Sequence, residues 1–120
     1  MRFACLTATV VFTVFTYWQF NDLEQYGTRL WLGWVFTYGS VAVASAAFAI
    51  PRIRPLPWGV YASGAIAAAF AAAILMTDID WEGPILYNPS NPAGNEAGGL
   101  LIVFIWLAFL ASRAAARAKT

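Results

Sequence analysis

The sequence predicts an all-α integral membrane four-helix bundle, a single membrane domain over residues 1–120 with both termini cytoplasmic. Three observations predict it. Hydrophobic residues make up 61% of the chain and charged residues 11%, against about 45–50% and about 25% in soluble domains, so lipid or another protein has to cover the surface. Four apolar stretches alternate with polar links. The basic residues gather on alternate links.

The helices are expected at about 3–20, 31–50, 58–76 and 97–112, each close to the length that crosses a hydrocarbon core of about 30 Å. The first begins after Arg2. Its apolar run is too long for a signal peptide, and bulky Tyr17, Trp18 and Phe20 stand where small residues should mark cleavage. It reads as a retained helix. Gly59/Ser63 and Gly64/Ala68 give the third helix two small-xxx-small pairs, which let helix backbones approach closely. The fourth, "LLIVFIWLAFL", is bulky throughout, and the alanine-rich "ASRAAARAK" is able to carry it into the interface while Arg113 snorkels.

The links differ in character. Residues 21–30 are polar. The prolines of "PRIRPLP", residues 51–57, make a stiff turn. An outer loop at 77–96 is the longest connection. Arg2, Arg52, Arg54, Arg113, Arg117 and Lys119 fall on one side of this topology, and only Arg29 on the other. That asymmetry places both termini inside. Asp22, Glu24, Asp78, Asp80, Glu82 and Glu96 all fall on the outer side. Trp18, Trp31, Trp58 and Trp81 lie near the expected interfaces, where amphipathic rings anchor a helix.

Histidine is absent and Cys5 is the sole cysteine. The usual haem and zinc ligand and the usual neutral-pH base are therefore missing, as are an internal disulfide and a CxxC site. Cys5 reads as a packing residue. No catalytic, cofactor or metal site is expected. "DIDWEG", Asp78 to Gly83, begins with the spacing of a calcium loop, but Pro89 occupies the twelfth position, where a bidentate Glu belongs. Its Ile79 and Trp81 also suit an interfacial anchor.

An outer polar cluster is the main candidate site: Gln19, Asn21, Asp22, Glu24 and Glu96. Gln19 lies in the last apolar turn of the first helix and needs a partner there, an interhelical hydrogen bond being expected. Asn21 suits the left-handed conformation that ends a helix, and Asp22 with Gln25 reads as the cap of a short helical turn. Glu96 is favoured near the start of the fourth helix by its dipole. Gly98 and Gly99 would weaken that helix, which suggests close approach of another backbone.

"QFND", then "WVFTY", then "EAGGLLIVFIWL" resembles the small four-helix membrane proteins of transmembrane family 220. The resemblance rests on Gln19, Asn21 and Asp22, on Trp34 with Tyr38, and on Glu96 with Gly98 and Gly99. Leu23 stands where that family has Pro, and Glu24 where it has Asp. It supports the fold and the polar cluster and implies no reaction.

The partners expected are membrane lipid and other membrane-complex subunits, with no nucleic acid, because the few basic residues sit where topology already explains them. A non-catalytic accessory or scaffolding subunit is the function these features favour. A small transporter or ligand-binding membrane protein is the alternative. No ionisable residue lies within an apolar stretch to carry a proton.

Overall fold

A computed structural model of the protein describes the backbone of residues 1–26 and 31–119 and the side chains of residues 1–21 and 31–119. Its regular elements are helices: α1 Arg2–Tyr26, α2 Trp31–Ala49, α3 Trp58–Met76 and α4 Pro92–Ala118. No strand occurs among the described residues. All four helices are long and apolar enough to cross a membrane. The chain divides into two compact units, Met1–Pro55 and Leu56–Thr120, and the boundary falls inside the proline-rich turn.

Two helices run past their expected ends. α1 continues to Tyr26 rather than ending near residue 20. Asn21 is therefore inside a helix and does not end it, and the backbone of residues 22–26 continues α1. Polar residues mark where a helix leaves an apolar medium, whereas the helix itself continues while its residues favour it, as Leu, Glu and Gln do. At about 1.5 Å per residue the 25 residues of α1 exceed the ~30 Å core. α4 begins at Pro92 instead of residue 97 and runs to Ala118 instead of residue 112. Proline suits the first helical position because its missing N–H would have no intrahelical partner there. The alanine-rich tail carries the other end, with Arg117 in the last turn, where a cation favours the helix dipole. The connection between α3 and α4 is thereby shortened to residues 77–91.

In the first unit α1 and α2 pack antiparallel. Phe20 meets Trp31 edge-on at 5.5 Å, while Phe12 and Phe15 meet Tyr38 at 6.4 and 5.5 Å. In the second unit α3 and α4 pack together, also antiparallel. Gly64 lies against Leu107, and the α3 end residues Leu75 and Met76 pack with Ala93 and Ala97. The buried positions of α3, Tyr61, Ala65, Ala68 and Ala72, recur at four- and three-residue steps, which is one face of a helix. The Tyr61 hydroxyl accepts the Leu56 N–H at 3.2 Å and ties the entering chain to α3.

Candidate functional site

The predicted polar cluster is divided between the two units. Gln19 and Asn21 belong to the first and Glu96 to the second. The side chains of Asp22 and Glu24 lie outside the described residues. Gln19 is half-buried, and its Nε2 donates to the Phe15 carbonyl of its own helix at 3.4 Å. Asn21 is exposed. Glu96 is half-buried in the second turn of α4. The helix starts earlier than expected, so its dipole, which fades beyond the first turn, favours Glu96 less than predicted.

The small residues sort by position. Gly64 faces Leu107, whose Cδ1 would lie 3.0 Å from an added Cβ, and Ala68 is buried. The other pair does not share this seam within the chain: a Cβ on Gly59 would meet nothing within 4 Å, and Ser63 is exposed. A four-residue spacing repeats on every face of a helix, and only the face turned to a neighbour uses it. Gly98 would bring a Cβ no closer than 4.0 Å to a Leu86 side-chain carbon, which is ordinary contact rather than close backbone approach. Gly99 is buried. Of the tryptophans, Trp18, Trp58 and Trp81 are exposed, and Trp31 is half-buried against Phe20.

Close backbone approach occurs at Gly94, which sequence reasoning missed. An added Cβ there would collide with the Ile85 carbonyl oxygen and lie 2.9 Å from its carbon. Three asparagines hold the 77–91 connection in this position. Asn91 is 4% exposed; its Oδ1 accepts the Asp80 N–H at 3.1 Å, and its Nδ2 donates to the Asp80 and Pro84 carbonyls at 2.8 and 3.3 Å. Asn91 precedes α4 but makes no side-chain cap to it, because its amide faces the connection instead. Asn95 Oδ1 accepts the Tyr87 N–H at 3.1 Å, and Asn88 Nδ2 donates to the Pro84 carbonyl at 3.1 Å. Underneath, Ile79 is buried with Ala93 and Ala97, and Ile85 packs on that cluster. Tyr87 has φ 57°, a left-handed conformation that costs a non-glycine residue roughly 1–2 kcal/mol. The signal was present in "NPSNPAGN": Asn-Pro pairs favour turn initiation.

The Asp78–Gly83 stretch turns on itself, with Asp80 Oδ1 accepting the Glu82 N–H at 3.0 Å. Among the described residues no group of three or more His, Cys, Asp or Glu side chains gathers as a metal-ligand set.

The first unit carries an aromatic seam. Trp34 stacks on Tyr38 at 6.0 Å, Phe12 meets Phe15 edge-on at 6.0 Å, and Phe15 stacks on Trp18 at 5.8 Å. Several threonine and serine hydroxyls donate to carbonyls of their own helices. Thr9, Thr13 and Thr16 donate to the carbonyls of Cys5, Thr9 and Phe12 at 2.7–2.8 Å. Thr37 donates to Gly33 and buried Ser45 to Val41. Cys5 is fully buried. Every buried side-chain nitrogen and oxygen among the described residues has a partner.

These features define a class: an all-helical protein whose four helices are able to cross a membrane, with one connection built as a clamped loop. No family model, curated protein or solved structure matches the chain.

Proposed function

We propose that the protein is a multi-pass protein of a bacterial inner membrane or its equivalent, with both termini cytoplasmic. It serves as a non-catalytic accessory or scaffolding subunit of a larger membrane complex, of the respiratory or photosynthetic kind. The observation that carries the reading is the division between polar and apolar side chains. Thr9, Thr13, Thr16 and Ser45 donate to their own helices, while Phe36, Ile66, Phe70 and Ile105 remain exposed. Such faces suit lipid or apolar partner helices. The six-to-one distribution of basic residues supports the orientation, and the resemblance to transmembrane family 220 belongs to the same proposal.

The half-buried carboxylate of Glu96 favours a second reading, a small transporter or ligand-binding membrane protein using the outer polar cluster. Native-gel migration of the endogenous protein after mild detergent extraction, with mass spectrometry of what accompanies it, separates the two. Co-migration in a stoichiometric assembly is expected. Migration as a monomer or small homo-oligomer overturns the subunit reading and favours the second. Reporter fusions at the carboxyl terminus and at residue 82 should report opposite sides of the membrane.

A further inference from the structure

We propose that residues 84–87 of the outer loop form a wedge seated in the lipid of the outer leaflet, at the boundary of headgroups and acyl chains. The inference rests on the membrane reading above and goes beyond it. A loop between two spanning helices is ordinarily a hydrated feature, and the acidic start of this one, Asp78 to Glu82, fits that description. The next residues do not. Ile85 has its carbonyl against Gly94, and Leu86 reaches Gly98. Gly98 stands six residues after the first residue of α4, about 9 Å along the axis at about 1.5 Å per residue. The segment therefore lies alongside the first two turns of α4 instead of rising away from them. Gly98 is also where the apolar stretch of α4 begins, which is the level of the hydrocarbon boundary.

The side chains and the backbone suit that level. Ile85 packs inward on Ala93 and Ala97, whereas Leu86 is 55% and Tyr87 86% exposed. A leucine beside a tyrosine, whose ring is apolar and whose hydroxyl seeks water, is the composition that partitions to an interface. Backbone near hydrocarbon has to satisfy its polar groups within the protein. Pro84 and Pro89 have no N–H to satisfy. The Tyr87 N–H is taken by Asn95, the Ser90 N–H by Asn88, and the Pro84 carbonyl by Asn88 and Asn91. Within 84–87 the asparagine clamp thus takes up the Pro84 carbonyl and the Tyr87 N–H. It also holds Tyr87 in its left-handed conformation.

Site-directed spin labelling tests this on the full chain in nanodiscs of phosphatidylcholine and phosphatidylglycerol. The buried thiol is removed by Cys5→Ala, and single cysteines replace Leu86, Tyr87, Glu82 and Phe70 in turn. Phe70 is an exposed mid-helix residue of α3 and reports insertion, and Glu82 reports the aqueous side. Labels at 86 and 87 should be shielded from a water-soluble nickel chelate and accessible to oxygen, at depths about 5–10 Å inside that of the label at 82, as for interfacial elements. If 70 is lipid-exposed but 86 and 87 are as accessible to nickel as 82, the wedge is overturned and the membrane reading stands. If 70 is also aqueous, both fail together. Should Leu86→Cys disturb the loop, Tyr87→Cys carries the test alone, because that side chain makes little contact within the chain.

Discussion

The two helix pairs meet the same packing requirement with opposite materials. α1 and α2 interlock large rings, Phe12, Phe15 and Phe20 against Tyr38 and Trp31. α3 presents alanines and Gly64, the latter beneath Leu107. Lipid tails are as apolar as leucine, so helix association in a bilayer depends on fit more than on escape from water. Rings supply fit through large contact area with few rotatable bonds. Small residues supply it by letting the helices come close. The lesson is an asymmetry: the first pair is vulnerable to truncation and the second to enlargement.

Enlargement at the tightest point should have the largest effect. Gly94→Ala drives a Cβ into the backbone of Ile85, and backbone on neither side yields as a side-chain tip does. We expect a loss of about 3 kcal/mol or more, at the upper end of overpacking costs. It is measurable as a lowered unfolding midpoint in detergent micelles, accompanied by new proteolytic cutting within 77–91. An unchanged midpoint would mean that the loop does not rest on α4 as described.

Next is the clamp itself. Asn91→Asp keeps an acceptor for the Asp80 N–H but turns two donated bonds, to the Asp80 and Pro84 carbonyls, into oxygen–oxygen contacts in a nearly buried place. Leaving such groups unsatisfied costs about 1–3 kcal/mol each, so a total of about 2–3 kcal/mol is expected after local relaxation. Asn91→Ala should cost less if the repulsion matters more than the lost bonds. Equal losses from the two variants would assign the effect to the missing bonds alone.

Truncation tests the other pair. Phe12 is 2% exposed and touches both Phe15 and Tyr38. On the proposed membrane reading Phe12→Ala should destabilise by about 2–3 kcal/mol, below the about 3–5 kcal/mol of a water-soluble core, because little transfer energy is lost between protein and lipid. The same change at exposed Phe36 should be within about 0.5 kcal/mol, as for surface sites. Comparable losses at both positions would argue that the rings act individually, without a seam.

The positions of the helices were legible because four long apolar stretches separated by polar links are hard to misread. Their ends were not, since Asn21 and Glu96 mark the edge of an apolar zone while the backbone bonds of α1 and α4 run on past them. The glycines show a related limit. Sequence spacing singled out Gly98, yet a Cβ there meets only ordinary contact, and a close approach that requires a glycine is at Gly94, set by where Ile85 comes to rest. That depends on a loop held by asparagine amides at eight and eleven residues' separation, a range that local propensity does not encode. The aromatic seam is half visible in the sequence: Trp34 and Tyr38 stand out through the family resemblance, while nothing in the spacing of Phe12 and Phe15 sets them apart from their apolar neighbours.

The finest test of the asymmetry uses two glycines of one helix. At Gly64 an added Cβ would lie 3.0 Å from Leu107 Cδ1, the end of a flexible side chain that yields by a small rotation. Gly64→Ala should therefore cost no more than about 1 kcal/mol of overpacking, the low end of that range, which the gain of about 1 kcal/mol from alanine in the interior of α3 offsets, leaving a net change near zero. At Gly59 nothing lies within 4 Å, and alanine is intrinsically the better helix former by about 1 kcal/mol in a helix interior. Gly59 is only the second residue of α3, so the gain there should be smaller, a few tenths of a kcal/mol by the same scale. A raised unfolding midpoint for Gly59→Ala and little or no change for Gly64→Ala is the expected result. If both destabilise equally, the small-residue spacing matters for a contact beyond this chain's own α4, and Gly59 with Ser63 becomes the place where another helix docks.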